Sequence, residues 1–262
     1  MNVDPDQWAK MPCSWQKDPD MHRLIAGAPT GTAIAALKLY IALCLKANFA
    51  KTKEFPSSGC VKRSITQLCT LTGLSRPVVI AGLRQLQAWR IIECLGGRPA
   101  VYHVTDYDKA PYWAKLPSGH LFDGYPGEVV RISQIPNRGV GTLHALQLYL
   151  YVASVRDRHS HKAKVTYPRF QSVLGFDRNE IAHAITLVGA YELVTVRTGD
   201  PDDVAFHPER PCNVFWLRGS LTKEFRERAA ADRRAVDEQN AAISAVAVAA
   251  AAADFDSLIE RR

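Results

Sequence analysis

Between residues 62 and 98 the chain gathers side chains with one shared capacity, the recognition of a polyanion that displays base edges. Arg76 and Arg84 carry planar guanidinium forks that pair bidentately with guanine, and the Gln85 amide matches adenine in the same way. Ala81 is small enough to let a helix approach a base pair and touch a thymine methyl. Lys62 and Arg63 suit phosphates, and Arg98, between Gly97 and Pro99, suits a hairpin tip entering a minor groove. Ser75 stands where it would cap a helix that begins at Arg76. Further along, Arg178, Asn179, His183 and Thr186 recur at matching spacing, with Asp177, Glu180 and Glu192 beside them. Taken singly, each basic residue is equally well a solvated surface charge. Their concentration decides the matter. Residues 31–104 hold ten Lys or Arg and only two acids, Glu54 and Glu93, a net +8; residues 140–218 carry +1, and the chain as a whole +7. A charge excess confined to one third of the chain points to a polyanionic partner for that part.

Other chemistry finds little support. No glycine-rich phosphate loop or zincin pattern occurs, and no cofactor is expected. His159 and His161, in "RHSHK", have the H-x-H spacing of metal-dependent nicking enzymes, but Ser160 and flanking charges fit a solvated loop. Asp200, Asp202 and Asp203, in "GDPDD", fit a polar turn better than a metal loop. The six cysteines (13, 44, 60, 69, 94 and 212) form no C-x-x-C pair, which implies free, mostly buried thiols in a reducing compartment. No stretch has the roughly 18 apolar residues of a membrane span, and the first twenty residues lack a signal-peptide core. A cytoplasmic, nucleoid- or plasmid-associated protein is expected.

The elements that must position these residues appear twice. "AALKLYIAL" (35–43) resembles "HALQLYLYV" (144–152), and "LTGLSRPVVIAGLRQLQAWRII" (71–92) resembles "VLGFDRNEIAHAITLVGAYELV" (173–194) in the same order. In the first copy, apolar spacing predicts a helix over 32–47, and "FPSSG" (55–59) breaks the chain. Ser64 heads a short helix over 64–72, and Gly73 makes a tight turn. A second helix follows, its buried stripe formed by Val79, Leu83 and Leu86. "IIECL" and "AVYHV" predict two strands joined through Gly96 and Gly97.

That order resembles the winged helix-turn-helix modules of phage and plasmid replication proteins and of small bacterial regulators. Two such modules in one chain resemble the plasmid initiators built from tandem winged helices. In that family the second module is the principal base reader, whereas here the first carries the charge. The expected fold is α+β, mainly α: an N-terminal arm (1–30), a basic first winged helix (31–104), an aromatic linker (105–139), a second winged helix (140–218) and an Ala-rich helix (221–262). Tyr112, Trp113 and Phe122 of the linker are expected to pack the two modules together, although they could also stack on bases. No role is evident for Trp8 or Trp15.

In the tail, Phe225, Ala229, Asp232, Val236, Gln239, Ile243, Val246 and Ala250 form a thin coiled-coil seam or a docking stripe. The resemblance implies a non-enzymatic protein that binds specific double-stranded DNA, serving replication initiation or transcriptional control on a mobile element. One winged helix reads few base pairs, so a homodimer on DNA is expected, with a host replication or transcription protein as a further partner. The alternatives are a structural winged-helix subunit of a chromosome-condensation type complex and, with less support, a metal-dependent nicking enzyme.

Overall fold

The computed structural model describes residues 8–109, 112–122, 130–157, 160, 162–198 and 212–219, all of which belong to one compact unit. The architecture is mixed α+β, with helices dominant and the strands gathered into small antiparallel sheets. The tail from 220, the histidines His159 and His161, and the acidic turn at Asp200, Asp202 and Asp203 lie outside the described residues, as does the Phe122 side chain.

The chain begins with strand β1 (Trp8–Pro12), a 3-10 turn at Ser14–Lys17 and helix α1 (Pro19–Gly27), followed by the long α2 (Thr30–Lys46). A short strand β2 (Cys60–Lys62) leads to α3 (Ile65–Thr72) and α4 (Arg76–Ala88), and then to strands β3 (Ile92–Gly96) and β4 (Val101–Val104). Local chemistry sets these boundaries. Ser64 and Gln67 form a reciprocal capping box at the start of α3. Gly73 ends it at φ +66°, a left-handed conformation in which a glycine has no Cβ to strain. Gly96 and Gly97, at φ +87° and +95°, close the β3–β4 hairpin. Ser75 occupies the N-cap position of α4, but its hydroxyl makes no capping bond. Pro77 in the first turn lacks one of the two N–H groups such a cap can reach and leaves that of Val78.

The same series recurs. After β5 (Trp113–Pro117), α5 (Ser118–Phe122) and α6 (Val130–Gln134) come α7 (Val140–Val155), β6 (Lys162–Val165), α8 (Tyr167–Leu174), α9 (Arg178–Ala190), β7 (Val194–Thr198) and β8 (Asn213–Leu217). α8 matches α3 at 8 residues. α9 matches α4 at 13. Gly175 ends α8 at φ +76°, as Gly73 ends α3. Arg90 and Glu192 hold left-handed φ values of 56° and 55° at corresponding turns. The sheets also agree, with orders β2-β4-β3 and β6-β8-β7.

The copies are joined by their own first strands. β1 and β5 pair antiparallel, Trp8 with Pro117, Lys10 with Lys115 and Pro12 with Trp113. Their sequences are WAKMP and WAKLP, so the duplication reaches back beyond the long helices. The register is symmetric about the Lys10–Lys115 pair, which makes that pair a local pseudo-two-fold point. Neighbouring elements follow the same exchange. Helix α1 of the first copy packs on α8 of the second, and α6 of the second packs on α3 of the first. The arm and the linker expected as separate segments are thus the connection between the copies. Trp113 stacks on Trp8 within this ribbon (centroids 5.5 Å apart, planes 20° apart), and Trp15 packs edge-on against Tyr40.

Helices α2 and α7 pack against each other at the centre. Each has a continuously buried run, Ala33–Cys44 and Thr142–Ala153, rather than one apolar stripe. Lys38 lies in the first run, 1% exposed, and its Nζ donates to Ile135 O at 2.9 Å. Gln147 occupies the matching position of α7, and its amide lies 3.4 Å from His22 Nδ1. Both residues therefore reach the opposite copy.

Burial pushes the Lys38 ammonium down from 10.5 to about 8. Between those values the unfolded chain holds more protons than the folded one, so this group makes stability climb with pH. Below pH 8 the cost of the buried charge is fully present. The difference in urea midpoint between wild type and Lys38→Met is expected to shift in favour of wild type from pH 8 to 10. A constant difference across that range would show that Lys38 is not desolvated in solution.

Candidate nucleic-acid interface

Helix α4 is positioned by a close approach to α2. Val79, Gly82, Leu83 and Leu86 are its buried residues. A Cβ at Gly82 would stand 2.7 Å from Leu39 Cδ1 and 3.1 Å from the backbone of Ala35 and Ala36, so only glycine allows this packing distance. Fixing that face turns Arg76, Arg84, Gln87 and Ala88 outward as exposed residues, while Ala81 and Gln85 are half-buried along the flanks. Gln87 was missed on sequence grounds. Its place at i+3 from Arg84 and two turns beyond Ile80 would have found it. The first turn of α4 contains no acid.

The flanking residues divide into two groups. Lys62, at the end of β2, pairs with Glu54 at 2.9 Å, both side chains being well exposed (38% and 58%). Such a pair is worth about 0–1 kcal/mol, little enough for a phosphate to displace the carboxylate. Arg63 is held more firmly. Its backbone N–H donates to Ala100 O, which ties it to the turn end of the β3–β4 hairpin, and its Nη1 donates to Lys62 O. Arg98 is exposed at the hairpin turn, beyond the pairing of β3 with β4. Lys62, Arg63, Arg76, Arg84 and Arg98 thus come from the end of β2 and the residue after it, from α4 and from the β3–β4 turn of one copy.

The second copy offers a different surface. Asp177 and Glu180 form a capping box at the start of α9, which puts two carboxylates at that helix end. Arg178 is exposed but lies over the Tyr167 ring at 5.7 Å, and Asn179 is exposed beside it. His183 bends back toward α7, since a Cβ on Gly141 would stand 2.6 Å from its ring. The Thr186 hydroxyl donates to Ala182 O at 3.0 Å, a bond internal to the helix. His144, missed in the sequence, stacks on Phe176 at 4.0 Å beneath Glu180. Burial lowers its pKa, partly offset by Glu180 and Asp177. Glu192 is drawn to Arg131 (2.6 Å) and Arg218 (3.8 Å), so its charge ties α6 to the turns that follow α9 and β8.

Cys13, Cys44 and Cys60 are buried thiols, whereas Cys94 is exposed. Burial raises the Cys13 thiol to about 11. Among the described residues no group of three His, Cys, Asp or Glu side chains is arranged to hold a metal ion, and no helix is long and apolar enough to cross a membrane. Comparison with family models, curated proteins and solved structures yields no match to this chain.

Proposed function

We propose that the two copies are winged helix-turn-helix modules and that the protein is a non-enzymatic, sequence-specific binder of double-stranded DNA. Its role would be replication initiation or transcriptional control on a mobile element. The observation that carries this reading is the outward face of α4. Arg76 and Arg84 are exposed on a helix whose first turn lacks acids, in the copy that holds nearly all the net charge. A helix of that size fits the major groove, and Lys62, Arg63 and Arg98 flank it as phosphate and minor-groove contacts.

Helix α9 serves as a weaker reader in this proposal. Asn179 and Arg178 can reach a duplex, but Asp177 and Glu180 repel the same phosphates. Because β1 and β5 join the copies, one chain already carries two readers. In this proposal that arrangement lessens the need for the homodimer that a lone reader would demand. Dimerisation through residues 221–262 then adds span rather than specificity.

A salt titration of duplex affinity tests the reading. Displacing counterions from about six phosphates gives a log–log slope near −5. A slope near zero would exclude DNA and leave the structural, protein-binding alternative.

A further inference from the structure

The β1–β5 ribbon has two unlike faces. Ala9, Met11, Ala114 and Leu116 are buried, so strand alternation turns Trp8, Lys10, Trp113 and Lys115 the other way. Lys10 is directly opposite Lys115, an unfavourable cross-strand pair of like charges. Among the described residues neither is ion-paired with a carboxylate. Each lies over aromatic rings instead. Lys115 Nζ is 4.6 Å from the Trp8 centroid, and Lys10 Nζ is 5.0 Å from Tyr107 and 5.9 Å from Trp113.

The cluster extends outward. Phe49 packs edge-on against Trp8 at 5.7 Å and is 60% exposed. Tyr112, next to Trp113, is 50% exposed with Lys17 Nζ 3.3 Å above its ring. Lys51 and Lys53 are exposed in the loop that follows Phe49. Of the acids in the adjoining turns, Asp106 is exposed and three others are engaged. Asp18 caps α1, Asp20 pairs with Arg23, and Asp108 accepts from the Ser58 hydroxyl.

We propose that this face is a second nucleic-acid surface that takes single strands. Duplex DNA hides its base faces, so exposed rings interleaved with unpaired cations suit unstacked bases linked by phosphates. Phe49 and Tyr112 present rings for stacking, while Lys10, Lys17, Lys51, Lys53 and Lys115 track the backbone. The inference rests on residues other than those of α4 and does not depend on duplex reading there. In a protein that also holds duplex, such a surface would capture a strand once it is opened.

The test uses the full-length protein and a fluorescein-labelled oligothymidylate of about 20 nucleotides, followed by anisotropy. Wild type should bind it, and Phe49→Ala/Tyr112→Ala should weaken binding about tenfold or more through lost stacking. Phe49→Trp/Tyr112→Phe should retain it, and thermal unfolding should be alike in all three because both rings are largely outside the core. Arg76→Glu/Arg84→Glu should lose duplex while keeping oligothymidylate, so the two surfaces fail separately. The proposal is overturned if wild type does not bind the oligonucleotide or if the alanine pair binds it unchanged. It is equally overturned if the α4 reversal abolishes single-strand binding, or if anionic phospholipid vesicles are captured through Phe49 and Tyr112 in its place.

Discussion

Replacing Gly82 with valine should destabilise the protein by about 3 kcal/mol or more, a large part of the 5–15 kcal/mol that holds a typical domain folded. Two effects oppose each other here. A helical glycine gives up about 1 kcal/mol relative to alanine, so substitution alone would help. Against that, an added Cβ would meet Leu39 Cδ1 at 2.7 Å and the backbone of α2 at 3.1 Å. The Leu39 side chain can move, but the α2 backbone, buried on all sides, cannot. A valine adds two further methyl groups to the same gap, and crowding wins. Gly189 of α9 is the control, since a Cβ there would meet nothing within 4 Å. Gly189→Ala should gain up to about 1 kcal/mol. Urea midpoints measure both. A wild-type midpoint for Gly82→Val would mean that α4 does not seat on α2 as described.

The second large effect concerns binding. Arg76→Glu/Arg84→Glu should lower duplex affinity by about 1000-fold or more, because two base-reading contacts of about 1–3 kcal/mol each are lost and two repulsive charges are gained. Both positions are exposed, so thermal stability should not change. The matching change in the second copy, Arg178→Glu/Asn179→Asp, should cost about tenfold or less, since Asp177 and Glu180 already weaken that surface. Anisotropy with one duplex at one salt concentration compares the two. Equal losses would remove the argument from charge asymmetry.

Much of each copy was legible because its signals are local. The Val79, Leu83 and Leu86 stripe marked the buried face of α4, and the Ser64 cap and Gly73 turn fixed the limits of α3. Gly96 and Gly97 marked the hairpin. Ser75 holds the expected N-cap position, but position alone does not make the side-chain bond. Among the candidate site residues, Arg76, Arg84, His183 and Thr186 are all exposed as helical spacing implies, though His183 and Thr186 also make contacts inside their own copy. Spacing gives a residue's angle around a helix, not the neighbour that claims its side chain.

The link between the copies was not legible from periodicity. β1 and β5 are five residues each, too short for a helical or alternating signal to stand out, and their pairing is not local. A search for repeated words rather than repeated patterns would have found WAKMP and WAKLP. Lys38 escaped for a related reason. A lysine inside an apolar helix reads as a surface position, and its partner at Ile135 lies in the opposite copy.

The exchanged packing also sets the order in which the chain can mature. β1 leaves the ribosome roughly a hundred residues before β5, an interval of about 5–20 s at usual elongation rates. For that time Ala9 and Met11 have no cross-strand partner, and α3 lacks the α6 segment that covers it. The first copy cannot complete itself until β5 and α6 have emerged. Pairing over such a separation adds a slow closure to folding, during which an unpaired β1 can join the β5 of another chain. High-level expression should therefore favour strand-exchanged dimers, and slower synthesis should favour the closed monomer.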